Sequence, residues 1–255
     1  MHNIIDDGYT LIWSFRNRIE LLKRSIKTAH STCPLDIAFY LVDAASDDKS
    51  IKELRSFVSE ISDRKIRICE SARRTSLSEA WNIGMMLSTT RYVIFASSDV
   101  EFISPHWHES MEIGFNKLGY RYILIENHAV FALDKKIIPT VGWFDENFLP
   151  GPHFDTDYMI RVVESGLPIG SIPNAGLYIH GHDDAEEEGR RKDKDFENPD
   201  RLPMNDLRNE IYFKEKWKSD WGGWQYGGHP PNHPFLCERR IPELDPHPIC
   251  TKKII

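Results

Sequence analysis

"YVIFASSDVEF", Tyr92–Phe102, is the stretch that decides the fold. Tyr92, Val93, Ile94, Phe95 and Ala96 form an unbroken apolar run rich in β-branched and aromatic residues, the pattern of a strand buried on both faces. Such strands belong to parallel sheets, and open α/β sheets take their ligands beyond the carboxyl ends of the strands. The run stops on Ser97, Ser98 and Asp99. The acid there is either a turn residue or a ligand for something held at that rim.

Working outward, strand-like and helix-like segments alternate. "YTLIWSF" (Tyr9–Phe15) reads as a strand, and Ile19, Leu22, Ile26 and Ala29 then recur at helical spacing. "IAFYLV" (Ile37–Val42) is the next strand. After "DAASDDKS" a helix follows with Ile51, Leu54, Val58 and Ile61 on one face. "KIRIC" is a short strand, and Ser76 with Glu79 forms a capping box that opens a helix through "LSEAWNIGMMLS". This order predicts a mainly parallel, doubly wound α/β sheet with right-handed crossovers. Beyond it, "YILIEN", "HAVFALD" and "LYIH" read as strands and "DTDYMIRVVESG" as a helix ended by Gly166. Asp183–Arg201 is densely charged and reads as a solvated loop. The Trp-, Gly-, Pro- and His-rich tail from Trp217 reads as an irregular wrap over the domain.

At 255 residues the chain can bury a large core, and 40% hydrophobic with 28% charged residues is ordinary for a soluble globular protein. A net charge of −7 with no evident basic face argues against nucleic acid as partner. No apolar run approaches the ~20 residues of a membrane span. The opening "MHNIIDDGYT" lacks the basic and long apolar regions of a signal peptide. Cys33, Cys69, Cys237 and Cys250 form no close pair, as expected of reduced thiols in the cytoplasm. No glycine-rich phosphate loop follows the first strand, which counts against dinucleotide and P-loop folds.

Five segments in order, "TLIWSFRNRIELLKRSI", "LVDAASDDKS", "SLSEAWNIGMMLSTTRYVIFASSDVEF", "VGWFDENFLPGPHFDTDYMIRVVESG" and "YIHGH", resemble the inverting family 2 glycosyltransferases of the GT-A fold. The resemblance spans about Thr10–His182. It implies a GT-A catalytic domain over residues 1–182, with a nucleotide-binding half at about 9–102 and an acceptor half at about 103–182. Residues 183–255 would then form the charged loop and an irregular extension packed on that domain.

The resemblance also implies roles. Asp43, at the end of the second strand, would accept hydrogen bonds from the base or ribose of the nucleotide; the residue types alone allow a helix cap here, which suits Asp47 or Asp48 better. Where the family often has a second acid, this chain has Ala44. Ser14, Phe15 and Arg16 would lie at the same mouth, with Asn82 near the donor and Arg73 and Arg74 facing phosphates. The family's Asp-any-Asp motif corresponds to Ser97, Ser98 and Asp99, so its first acid is missing. Asp99 would hold Mn2+ (or Mg2+), hard cations that suit oxygen ligands, and Ser97 and Ser98 would contact the nucleotide. His180 would be a second metal ligand, with His182 and Glu101 as alternatives. Asp155 matches the general base, with Asp157 its runner-up; for both acids simple capping of a helix N-terminus competes. The family's preceding acid is here Phe154. Trp143 and Phe144 either stack on a sugar or pack the core. Trp217, Trp221, Trp224 and Tyr226 either line the acceptor groove or stabilise the C-terminus.

The expected activity is metal-dependent, inverting transfer of a sugar from a UDP-, GDP- or dTDP-sugar to a glycan hydroxyl. Two rivals are a catalytically silent sugar- or nucleotide-binding module, favoured by the missing acid, and a nucleotidyltransferase, disfavoured because "SFRNR" lacks the glycines of its loop.

Overall fold

A computed structural model of the chain describes residues 6–61, 63–125, 129–149, 153–172, 176–179 and 203–217. The nucleotide half alternates as expected: β1 (Asp6–Phe15), α1 (Ile19–Thr32), β2 (Ala38–Asp43), α2 (Asp48–Ser59), β3 (Ile66–Glu70), α3 (Leu77–Leu87) and β4 (Thr90–Ala96). Then follow β5 (Val100–Phe102), α4 (His106–Asn116), β6 (Tyr122–Ile125) and β7 (Val130–Asp134). A 3-10 turn (Lys135–Ile137) leads to α5 (Ile138–Val141), and α6 (Phe154–Glu164), β8 (Ile169–Ile172), β9 (Leu177–Ile179) and α7 (Pro203–Trp217) complete the described elements.

Seven strands form one sheet in the order β3-β2-β1-β4-β7-β6-β8. Only β7 is antiparallel to its neighbours, β4 and β6; the other pairs are parallel. The central strands divide their side chains by parity, as the pleat requires. Leu11, Trp13, Tyr92 and Ile94 join one apolar cluster with α1, α2 and α4, whereas Ile12, Val93 and Phe95 join another with α3 and α6. Burial on both faces is therefore the reason β4 reads as a continuous apolar run. Gly84 lets α3 lie close on β1: a Cβ there would meet Ile12 Cγ2 at 2.5 Å.

β5 pairs antiparallel with β9 in a separate two-stranded sheet. One expectation changes: the segment from 183 to 255 is not wholly irregular, since Pro203–Trp217 is helical.

One buried cation shapes the pH dependence of stability. Lys135, 7% exposed, donates to Ser88 O (2.6 Å) and Met85 O (3.4 Å) at the carboxyl end of α3. Burial pulls its pKa down from 10.5 to about 8. Between those values the unfolded chain holds the proton and the folded one does not, so this residue's contribution to stability rises with pH. The stability of wild type relative to Lys135→Met should therefore increase by about 1–3 kcal/mol from pH 7.5 to 10. Paired urea titrations measure it, and a flat difference would refute the assignment.

Candidate active site

The carboxyl ends of β1, β2 and β3 lie level, with Phe15 opposite Asp43 and Asp43 opposite Glu70. Asp43 is 2% exposed. Its Oδ1 accepts Ser46 N (2.9 Å) and Ser46 Oγ (2.5 Å), and its Oδ2 accepts Ser46 N at 3.2 Å. The cap of α2 is Asp47, which accepts Ser50 N at 2.8 Å. Helix capping thus explains Asp47 and leaves Asp43 facing the rim, where it lines a cleft of about 440 Å³ with Ser46, Lys52, Arg55 and Glu70.

The loops around this cleft are held in an unusual shape. Asn17, Arg18 and Ala45 have φ of 51°, 49° and 64°, a region costing non-glycine residues roughly 1–2 kcal/mol each. Cross-loop bonds hold it: Asn17 N to Ser46 Oγ (2.7 Å), Asp47 N to Asn17 Oδ1 (3.0 Å) and Arg16 Nε to Ala45 O (3.4 Å). Ser14 is half-buried at the mouth. Phe15, expected there too, sends its side chain into the core at 3% exposure, and only its carbonyl, bonded to Ala44 N, faces the loops.

The end of β4 is closed by Ser97 N donating to Ala129 O (2.9 Å), and a turn then brings Val100 N to Ser97 O at 3.4 Å. Ser97 is exposed, Ser98 half-buried and Asp99 buried at 8%. Val100, next to Asp99, pairs with Ile179. His180 and His182 lie outside the described residues. Glu101 lies between the core residues Val100 and Phe102 and is half-buried. Among the described residues no group of three or more His, Cys, Asp or Glu could hold a metal.

The start of α6 packs against the end of β4. Trp81 of α3 lies between them: its ring meets Phe95 of β4 at 5.2 Å, Phe131 of β7 at 4.8 Å and Phe154 of α6 at 4.9 Å. Phe95 and Phe131 are partners near the ends of their strands, so the first turn of α6 sits near the carboxyl end of β4, the strand that precedes Asp99. Asp155 follows Phe154 and is 6% exposed. Its Oδ1 accepts Thr156 N at 2.7 Å and Thr156 Oγ1 at 3.4 Å.

Residues 10–137, half of the chain, match the family described as Glycosyl transferase family 2. The chain belongs to this family. None of the curated proteins matches it significantly in sequence. Solved structures share its GT-A fold. A mannosyltransferase from Pyrobaculum calidifontis, in complex with GDP-Man and Mn2+, superposes with a TM-score of 0.63 at 13% identity, over 85% of this chain and 73% of its own. TarS 1-349 of S. aureus, in complex with UDP-GlcNAc, gives 0.57 at 10% identity, over 67% of this chain and only 57% of its own. Glucosyl-3-phosphoglycerate synthase from Mycobacterium tuberculosis, in complex with Mn2+, UDP and phosphoglyceric acid, gives 0.53 at 10% identity, over 72% of this chain and 74% of its own.

Several side chains of this family 2 glycosyltransferase sit deeper than expected. Asn82 is fully buried. Its Nδ2 donates to Phe144 O (2.8 Å) and Glu146 Oε1 (2.9 Å), and its Oδ1 accepts Phe144 N (2.9 Å). It fastens the loop after α5 instead of meeting a ligand. Trp143 (6%) and Phe144 (0%) are core residues, the latter stacked 4.2 Å from Tyr158, so neither offers a face to a sugar. Arg73 is exposed and forks onto Glu79 (3.1 and 2.5 Å), and Arg74 is half-buried.

Asp157 is displaced as rival base. It is fully buried; Arg161 Nε reaches Oδ2 at 3.0 Å, while Trp217 Nε1 and Lys216 Nζ reach Oδ1 at 3.0 Å each. Burial alone would raise its pKa, but the Lys216 and Arg161 charges outweigh that and hold it below the usual value. A carboxylate so engaged has no place for an acceptor proton. Lys216, fully buried, also meets Asp145 Oδ2 at 2.6 Å, an oxygen that Tyr212 OH approaches at 2.6 Å. Arg161 Nη1 donates to Val141 O and Trp143 O, both at 2.8 Å. Asn209 bonds both N (2.9 Å) and O (3.0 Å) of Leu149. Helix α7 therefore clamps α6 and the 141–149 loop together beside Asp155. Trp217 belongs to this clamp, and Trp221, Trp224 and Tyr226 lie outside the described residues. Sequence reasoning missed the clamp; its one signal was the pair Lys216–Trp217 at the start of the aromatic tail.

Proposed function

We propose that this glycosyltransferase moves a sugar from a nucleoside diphosphate donor to a hydroxyl of a glycan, with inversion at the anomeric carbon. Trp81 carries the reading, by tying β4, the strand that precedes Asp99, to the first turn of α6, which holds Asp155. Two buried acids, one following β4 and one in the first turn of α6, suit opposite tasks on one sugar ring. Asp155 takes the proton of the acceptor hydroxyl as its oxygen bonds to the anomeric carbon, while the bond from that carbon to the phosphate oxygen breaks and its electron pair leaves with the diphosphate. Asp43, beside the cleft, receives the nucleoside.

The residues fit a divalent cation. Asp99 would give a hard carboxylate oxygen just beyond β4, His180 is the second ligand we propose, and Mg2+ or Mn2+ needs only one or two carboxylates when substrate phosphates supply the rest. When bound, such an ion neutralises charge developing on the leaving diphosphate. No helix among the described residues is long and apolar enough to cross a membrane; with Cys33 and Cys69 both free, we place the enzyme in the cytoplasm. The missing first acid at Ser97 favours one second reading, a silent binding module.

Thermal denaturation with nucleotide sugars and Mn2+ tests the donor site. A donor at about 100 times its Kd stabilises by about 2.7 kcal/mol, or roughly 5 °C or more for a chain of this size. Asp99→Asn should remove the Mn2+-dependent part. A shift that survives this substitution unchanged would sink the metal assignment, and binding with no turnover of any donor would favour the silent module.

A further inference from the structure

The cleft at the ends of β2 and β3 has a charged lining of both signs. We infer that it selects guanine, so the donor is a guanosine diphosphate sugar; this rests on the donor reading above. At about 440 Å³ the cleft admits a purine or a pyrimidine, so size does not choose and hydrogen-bonding chemistry must. Its floor carries two acids on neighbouring strands, Asp43 opposite Glu70. Its α2 wall carries two cations, Lys52 and Arg55.

Both acids keep room to accept. Asp43 Oδ2 takes a single bond, the longer one from Ser46 N (3.2 Å), and each carboxylate oxygen has about two acceptor positions. Glu70 meets Arg55 through Oε1 alone, at 3.1 Å from Nε and 2.5 Å from Nη2, which leaves Oε2 outside that pair. Guanine is the base whose Watson–Crick edge presents two adjacent donors, N1–H and the N2 amine, followed by the acceptor O6, with N7 next to O6 on the Hoogsteen edge. Adjacent donors suit two level carboxylates, and O6 with N7 suit Lys or Arg, the commonest specific contact to that base. Uracil and thymine carry one N–H flanked by two carbonyls, so a second acid would face an oxygen. Adenine and cytosine place a ring nitrogen acceptor beside their amine, with the same repulsion.

Titration calorimetry of the full chain with GDP, UDP and inosine diphosphate, each with Mn2+, tests this. GDP should bind at least about tenfold tighter than UDP, the range a good bidentate base contact provides. Inosine diphosphate, which lacks the N2 amine, should fall about five- to tenfold below GDP. Glu70→Ala should erase most of that GDP–inosine difference, and Lys52→Met should weaken GDP more than UDP. UDP binding as tightly as GDP would overturn the guanine assignment while leaving the donor reading intact. A GDP preference unmoved by both variants would overturn the assignment to this cleft. Failure of all three nucleotides to bind would overturn both.

Discussion

Replacing Asp155 by Asn is expected to lower the transfer rate by about 10³-fold while donor binding stays within about twofold. A positioned general base contributes about 10²–10⁴. Asn keeps the size of Asp and an Oδ1 that can still accept from Thr156 N, the bond made at 2.7 Å by the native acid. It cannot take the acceptor's proton. Thermal stability should change by less than about 1 kcal/mol, since Asn preserves the side chain's volume and the bond from Thr156 N. Initial rates with donor in excess, beside calorimetric donor binding, separate the outcomes. Loss of donor binding equal to the loss of rate would mean that Asp155 holds the donor and is not the base.

The second large effect is on folding. Lys216→Met should destabilise the chain by about 3–5 kcal/mol, the usual consequence of removing one partner from a buried charge cluster. Lys216, Asp145, Asp157 and Arg161 balance as two acids and two bases, and all four are fully buried. Without the ammonium, Asp145 is left with Tyr212 OH and Asn147 as donors, and Asp157 with Arg161 and Trp217. The melting temperature should fall by roughly 10 °C. Adding Asp145→Asn should recover part of that loss, because it removes the stranded charge. A loss below about 1 kcal/mol in the single variant would show that the clamp contributes little.

How legible each part was follows from the physics that placed it. β4 could be read because a strand covered on both faces has no polar positions, and α3 because Ser76 caps it by accepting Glu79 N at 3.1 Å. The acids at the rim were readable because they end apolar runs. Helix α7 was not, because its pattern is mixed: Phe213 and Trp217 are buried, but so are polar residues, and other apolar ones are exposed. Leu207 and Ile211 face solvent at 54% and 47% exposure, while Asn209 and Lys216 are buried at 1% and 0%. Its buried side is satisfied by hydrogen bonds and ion pairs with residues about sixty positions away, which periodicity cannot see. β5 and β9 were hard to anticipate as partners because each is three residues long and their pairing spans most of the second half. Asn82 and Trp143 misled for a related reason: residue types suited to a ligand also suit a buried polar tie or a core ring, and only coordinates separate these.

The stereochemistry of slow donor hydrolysis bears most directly on the two-acid site. With no acceptor present, water takes the hydroxyl's place beside Asp155. Proton NMR of the first sugar released from an α-linked nucleotide sugar, recorded before mutarotation, should show the β-anomer, and Asp155→Asn should suppress its appearance. The α-anomer appearing first would contradict a carboxylate acting from the face opposite the leaving diphosphate.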